Sequence, residues 1–384
     1  MNYNFDEIID RRQTNSSKWD VKENELPLTT ADMDFKTAPE IISELKDKVA
    51  AGIFGYENPS EDYFAAVKSW FHSEHQTEIQ RDWMLFSTGV IPALSSIVRR
   101  LTHPAENVVV QSPVYNIFFN SIENNGRRAL ENKLIYNPET REYQIDFVDL
   151  KKKLQEPQTT MMILCNPHNP TGNVWSKSEL EKIAAYCNEN QVILVSDEIH
   201  GDLVLEGNGY TPLFSIDPSL TNQAISLTSP SKTFNLAAIH AATVIVKNPF
   251  LRYQIDRGLN NDEIAEPNLT AIPGTIAAYR YGAPWLKELK SYLRDNRQLV
   301  EDTLDNKING IKLVNGQATY LLWLDCSLIN KSSIEIVEEI RNQTGLILSP
   351  GKIYRGNGDH FLRISIAYPR KVLKDALSRL IQAI

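Results

Sequence analysis

Short, largely apolar runs recur along the first two thirds of the chain, at 107–111 (NVVVQ), 160–164 (TMMIL), 192–196 (VILVS), 224–228 (AISLT) and 242–246 (ATVIV). Runs of this length without polar alternation read as strands buried on both faces. The stretch 176–187 predicts how they are joined. Ser176 and Glu179 fit a capping box, and Leu180, Ile183, Ala184 and Cys187 form a helical apolar stripe. Strand, helix, strand is therefore the repeated theme, which predicts an α/β fold with a mostly parallel sheet and right-handed crossovers.

Past residue 280 the texture changes. Gly282-Ala283-Pro284 opens a long amphipathic segment from Trp285 to Leu304, followed by an apolar run at 318–325, a helix near 333–344 stopped by Gly345, a run at 361–366 and a final helix from about 370. This predicts a compact α+β unit. The first 45 residues have weak periodicity and are expected to wrap onto another element. The expected division is a large domain over 46–281 and a small one made of 1–45 and 282–384.

Composition narrows the partners. A formal charge of −8 and a pI near 5.5 argue against a surface that tracks nucleic-acid phosphates, so a small-molecule partner is expected. Cys165, Cys187 and Cys326 lie far apart without a CxxC pair, which points to a reducing compartment and to no metal knuckle. The start of the chain lacks a basic, then apolar, leader, and no run approaches the ~18 apolar residues of a membrane span. A cytoplasmic protein with no membrane partner is expected.

Open parallel sheets bind ligands beyond the carboxyl ends of their strands, and here those positions are unusually polar. The runs lead into Ser112-Pro113-Val114-Tyr115, into Cys165-Asn166-Pro167-His168-Asn169-Pro170-Thr171-Gly172, into Asp197-Glu198-Ile199-His200 and into Ser229-Pro230-Ser231-Lys232. A cofactor that handles amines and draws electrons into a ring needs a lysine to capture it, an acid beside the ring nitrogen, hydroxyls for a phosphate and an aromatic plate on the ring. The four loops supply each. Lys232 is the anchor and base, and Asp197 partners the ring nitrogen. Asn169 donates to the ring oxygen, Tyr115 stacks on the ring, and Ser229 and Ser231 meet the phosphate. The segment from Ser87 to Leu94 begins a helix whose first amides, at Val90 and Ile91, form a phosphate cradle at the positive end of the dipole.

Each of these residues also has an ordinary reading: a solvated lysine, capping Asp and Ser residues, a turn asparagine, a core tyrosine. Their placement after successive strands is what gives the set meaning. His72 and His75 have helical spacing that would suit a metal, but no acidic or cysteine partner accompanies them in the sequence, and a solvated helix face is expected. Arg363 sits inside a predicted strand, where an unpaired guanidinium is costly, so it calls for an anion, either a protein carboxylate or a substrate carboxylate held bidentately.

The motifs Asn-Pro-x-Asn-Pro-Thr-Gly at 166–172, Ser-Asp-Glu-Ile-His at 196–200 and Ser-Pro-Ser-Lys-Thr-Phe-Asn at 229–235 resemble those of fold-type I pyridoxal-phosphate enzymes. Ala31-Asp32-Met33-Asp34-Phe35, Phe54-Gly55-Tyr56 and Gly282-Ala283-Pro284-Trp285-Leu286 look more narrowly like the MalY/PatB group of cystathionine β-lyases. The resemblance spans essentially the whole chain. It implies a pyridoxal 5'-phosphate cofactor and α,β-elimination of L-cystathionine or related S-substituted cysteines to thiol, pyruvate and ammonia. It also implies a homodimer in which Tyr56 of the partner subunit reaches the cofactor phosphate, and an Arg363 that binds the substrate α-carboxylate.

Two positions depart from the wider aminotransferase pattern. His200 stands where a tyrosine commonly contacts the ring oxygen, and His240 replaces an arginine often found on the phosphate. These departures bear more on transamination than on cofactor binding. A class I/II aminotransferase is the alternative, and a regulatory protein-binding role beside the lyase site is a second one, to which no sequence feature points.

Overall fold

The computed structural model describes residues 3–207 and 209–384. Its larger sheet is built from β1 (Met84–Ser87), β2 (Asn107–Ser112), β3 (Arg128–Lys133), β4 (Thr159–Cys165), β5 (Ile193–Asp197), β6 (Ala224–Thr228) and β7 (Ala242–Ile245). Among the described residues these form one seven-stranded sheet in the spatial order β1-β7-β6-β5-β4-β2-β3. All five apolar runs are strands of it. The central ones are almost wholly buried, with only Thr160 and Ile193 partly exposed, because helices such as Val90–Leu101 and Lys177–Glu189 pack against the sheet. The helix over Lys177–Glu189 starts at Ser176 with both halves of the capping box formed.

One strand departs from the parallel rule. β7 runs antiparallel to both β1 and β6, with Ala242 opposite Ser87 and Thr243 opposite Thr228. Consequently the residues that enter β7, His240 and Ala241, lie at the same edge as the residues that leave β1 and β6. The register Cys165 opposite Asp197, and Asp197 opposite Leu227, aligns the ends of β4, β5 and β6 along that edge.

A second sheet holds β8 (Lys312–Leu313), β9 (Leu321–Asp325), β10 (Ser349–Pro350) and β11 (Phe361–Ser365), in the order β8-β9-β11-β10. The helices Ala283–Lys307, Ser333–Thr344 and Arg370–Ala383 accompany it, in line with the pattern of the last hundred residues. The N-terminal segment wraps as expected. Leu26–Pro27 pairs in parallel with Leu346–Ile347, and Phe5 and Trp19 are buried in the core beside Trp285 and Leu377. Gly345 makes this docking possible. It closes the helix in the left-handed region at φ +72°, and a Cβ there would sit 2.6 Å from the Asn24 carbonyl oxygen.

Candidate active site

The aligned strand ends open into a cavity of about 410 Å³, within the ~300–1,000 Å³ of small-molecule sites. Lys232, Asp197, Asn169, Tyr115, His200, Ser229, Ser231, Val90 and Ile91 all line it. A hollow of about 520 Å³ between residues 8–12 and the last helix is larger, but no strand end of the main sheet reaches it.

Lys232 sits on a single helical turn, Pro230–Thr233, capped by the Ser229 hydroxyl, which accepts from the Ser231 amide at 3.1 Å. The Ser229 proton is itself engaged, donated to Ala241 O at 2.6 Å. The Lys232 Nζ donates to Ala31 O at 2.8 Å. Burial, with Arg363 as a like charge nearby, lowers its ammonium to about 8, against the pull of Asp32 and Asp197. An amine so placed is a nucleophile and base near neutral pH.

Asp197 ends β5 and accepts from the Ile199 amide at 3.1 Å. Burial raises its carboxyl to about 7, so a cation placed beside it would find a partner that gains from ionising. Its neighbour Glu198 is also buried and raised to about 7, but it is held by Ser196, Ser226 and the Leu213 amide and does not line the cavity. Alternation along the strand end separates the two carboxyls. His200 is buried and pushed down to about 3 by desolvation, then by Lys232 and Arg363, so it is neutral, and its Nδ1 lacks a partner among the described residues.

Arg363 stands just behind the lining, joined to it through Asn169, whose Oδ1 accepts from Nη1 at 3.1 Å. Nη2 donates to Thr29 O at 2.6 Å, the guanidinium lies 5.1 Å from the centre of the Tyr354 ring, and Nε has no partner among the described residues. Among the described residues no carboxylate forms an ion pair with it. A buried guanidinium held only by neutral groups has the charge and the geometry to take an anion. Tyr115 is half-buried at the cavity wall, with burial raising its hydroxyl. Val90 and Ile91 begin the helix that follows Gly89, where first-turn amides have no intrahelical acceptor.

Tyr56 is not brought to this cavity. It is 98% exposed, beside Phe54 at 70% and Ile53 at 76%. His72 and His75 do have acidic partners, contrary to the sequence reading. His72 Nδ1 meets Glu78 Oε1 at 2.5 Å and His75 Nε2 meets Asp202 Oδ1 at 2.7 Å, because Glu78 and Asp202 arrive from other segments. The two histidines thus have separate carboxylates, and Asp202 also holds Trp70 Nε1 and Thr233 Oγ1, next to Lys232.

Sequence reasoning missed several lining residues. Ile199 was findable, since a position two beyond Asp197 returns to the same side of a strand end. Ala241 follows from the antiparallel sense of β7, which also puts His240, singled out in the sequence for its departure from arginine, on the lining, and Ala31 is brought in by the N-terminal segment.

The set fits a pyridine-aldehyde phosphate. It has a capturing amine, a strand-end acid, an unpartnered imidazole nitrogen at the ring position and a helix N-terminus for the phosphate. A model of the family described as aminotransferase class I and II matches residues 23–380. Cystathionine beta-lyase PatB of Bacillus subtilis is 38% identical over 98% of this chain and 98% of its own. Protein MalY of Escherichia coli is 33% identical over 100% of this chain and 99% of its own. The solved structure of cystalysin from Treponema denticola, which contains a pyridoxal 5'-phosphate cofactor, matches with a TM-score of 0.94 at 33% identity, covering 100% of this chain and 99% of that one.

Proposed function

The chain belongs to the class I and II aminotransferase family, in its MalY/PatB-like group, and we propose that it is a pyridoxal-phosphate-dependent carbon–sulfur β-lyase acting on L-cystathionine or a related S-substituted cysteine. The observation that carries this reading is the pair of Lys232, lowered to about 8 on the cavity wall, and Arg363, buried just behind that wall on Asn169 with no carboxylate paired to it among the described residues. One takes an amino acid's α proton and the other takes its carboxylate.

Bound there, pyridoxal phosphate supplies a ring that accepts the electron pair left when the substrate's α C–H bond breaks. Arg363 binds the α-carboxylate, with its Nε free for one carboxylate oxygen and Asn169 and Thr29 fixing the fork. Lys232 takes the α proton. Asp197 would hold a proton at the ring nitrogen, and Asn169 and His200 would meet the ring oxygen. Tyr115 and Ile199, both on the lining, would pack against the ring. The amides of Val90 and Ile91 and the hydroxyl of Ser231 meet the phosphate, Ser229 shaping the turn, and Tyr56 of the partner subunit completes the contact. The homodimer this requires is supported by the exposed run Ile53, Phe54 and Tyr56. The division into 46–281 and 1–45 with 282–384 is part of the same proposal, supported by the pairing of Leu26–Pro27 with Leu346–Ile347. No described helix is long and apolar enough to cross a membrane.

Overall, one cystathionine and one water become homocysteine, pyruvate and ammonia. Likeness to PatB supports elimination over amino transfer, as do His200 and His240 in place of the common tyrosine and arginine. The test is pyruvate and free thiol released from L-cystathionine with no keto acid present, in equal amounts. Product formation that depends strictly on an added keto acid would instead identify a transaminase.

Arg363→Lys keeps the charge but loses the planar fork. Losing one charge-assisted bond of about 2 kcal/mol predicts a rise of about 30-fold in half-saturating substrate, with a smaller change in kcat. Steady-state kinetics checks this, and an unchanged KM would remove Arg363 from substrate binding.

A further inference from the structure

Residues 29–35 form a strap across the site, and two of its carbonyls already touch the two cations of the proposed chemistry. Thr29 O accepts from Arg363 Nη2 at 2.6 Å and Ala31 O from Lys232 Nζ at 2.8 Å. The Tyr320 hydroxyl shares Ala31 O at 3.0 Å. The strap itself is held on two sides.

On one side is a partly buried charge cluster. Asp34 meets Arg11 at 2.6 Å and Lys18 at 2.9 Å, Asp32 meets the same two at 2.8 and 2.7 Å, and Trp19 Nε1 donates to Asp34. Two cations face two anions, so the desolvation cost is offset locally, and of the four Asp32 also acts on Lys232, favouring its ammonium. On the other side is Asn235, three residues beyond Lys232. Its Oδ1 accepts from the Met33 amide at 3.0 Å, and its Nδ2 donates to Met33 O at 2.9 Å and Phe35 O at 3.0 Å. Asn235 adopts the left-handed conformation, φ +57°, which asparagine tolerates better than most residues and which turns its amide toward the strap.

We propose that Asn235 is a positioning residue for substrate binding: from the loop that carries Lys232 it clamps the strap, and so sets Thr29 O and Ala31 O against Arg363 and Lys232. Asn235 touches neither cation. Its effect passes through the strap, and it reaches both groups at once. With Thr29 and Asn169 holding the guanidinium from two sides, Arg363 presents its remaining N–H groups in a fixed direction, which lowers the ordering cost of taking a carboxylate. With Ala31 over Lys232, the amine stays shielded from bulk water. This inference rests on the reading of the site as one that binds an amino acid beside a captured cofactor.

The test compares wild-type holoenzyme with Asn235→Gly, which keeps the backbone conformation and removes the clamp, and with Asn235→Asp, which keeps the acceptor and loses both donors. Three readings are taken: thermal midpoint, the pH midpoint of the visible absorbance of the cofactor–lysine linkage, and the concentration of L-alanine that half-saturates the spectral change. For Asn235→Gly the expected result is a retained chromophore, an L-alanine requirement raised about tenfold, and a pH midpoint moved up by about half a unit. The direction follows because loosening the strap admits water to Lys232. In the free amine burial is the largest influence holding this nitrogen down, followed by Arg363, with Asp32 and Asp197 opposing and neutral His200 alongside, and a linkage formed on the same nitrogen keeps those neighbours. Asn235→Asp should fall between the two in L-alanine requirement.

A lower thermal midpoint with unchanged L-alanine requirement and pH midpoint would reduce Asn235 to a structural role and overturn the proposal. If Asn235→Gly fails to fold, Asn235→Asp is judged by the same criteria. A wild-type protein without visible absorbance would overturn the cofactor reading, and this inference with it. A coloured wild type with indifferent variants would overturn this inference alone.

Discussion

Lys232→Ala is expected to yield a folded protein that has lost lyase activity by at least about 10⁴-fold and no longer shows the visible absorbance of a captured cofactor. The magnitude has two sources. Among the described residues Lys232 is the one amine lining the cavity, so it would both hold the cofactor covalently and act as base for the α proton, a role worth about 10²–10⁴ by itself. Folding should be spared, because the Lys232 Nζ contacts the strap through one bond to Ala31 O, an acceptor that also serves the Tyr320 hydroxyl. Removing a partly buried cation beside Arg363 even relieves a like-charge contact. Circular dichroism, the visible spectrum and pyruvate release check the three parts separately. In the wild type, the rate at which cofactor-free protein captures the cofactor should rise with pH through about 8, because the neutral amine is the nucleophile and burial has brought its pKa down to that value. A capture rate that rises only toward the ordinary lysine range would contradict the environment described for Lys232.

How much of this was legible before the structure depends on which force fixed each element. The strands at β4, β5 and β6 announce themselves because burial on both faces leaves little room for polar residues. β3, reading Arg128-Ala129-Leu130-Glu131-Asn132-Lys133, is an edge strand with its ends exposed, so its composition carries no such mark. β1 is short and was likewise not read. The antiparallel sense of β7 is invisible to an apolar pattern, which is the same in either direction. It arises because the chain returns through one helical turn and the 3₁₀ turn Ala237–Ile239, without the crossover helix that a parallel neighbour needs.

The chemistry was legible where it followed strand ends, as at Asp197, Asn169 and Lys232, and not where it came from afar. The bond from Lys232 to Ala31 spans 201 residues, and nothing local to either residue foretells it. The pairing of His75 with Asp202 spans 127 residues and is equally hidden, which is why a helical His-x-x-His spacing was open to a metal reading.

Asp197→Asn should separate electronic work from cofactor capture. Asparagine matches aspartate in shape and still accepts from the Ile199 amide through its Oδ1, so the end of β5 and the cavity wall keep their form. Lys232 remains to hold the cofactor, and the visible absorbance should survive, unlike in Lys232→Ala. What is lost is the negative charge. In the wild type burial raises the Asp197 carboxyl to about 7 even against the pull of Lys232; a protonated ring nitrogen beside it would draw it back toward ionisation, and each would stabilise the charge on the other in a site with little water. An amide offers no such compensation, so the ring nitrogen sheds its proton and the electron pair from the α carbon has no cation to flow toward. Preorganised charges of this kind are worth about 10²–10³ in rate, and kcat should fall by about 10³-fold with half-saturating substrate little changed, since Arg363 and Asn169 still bind the carboxylate end. Slowed exchange of the substrate α proton with solvent deuterium, followed by NMR, would locate the loss at the step where that C–H bond breaks. A variant that keeps near-normal exchange and turnover would show that the ring works unprotonated, and Asp197 would then be only the cap its amide bond to Ile199 makes it.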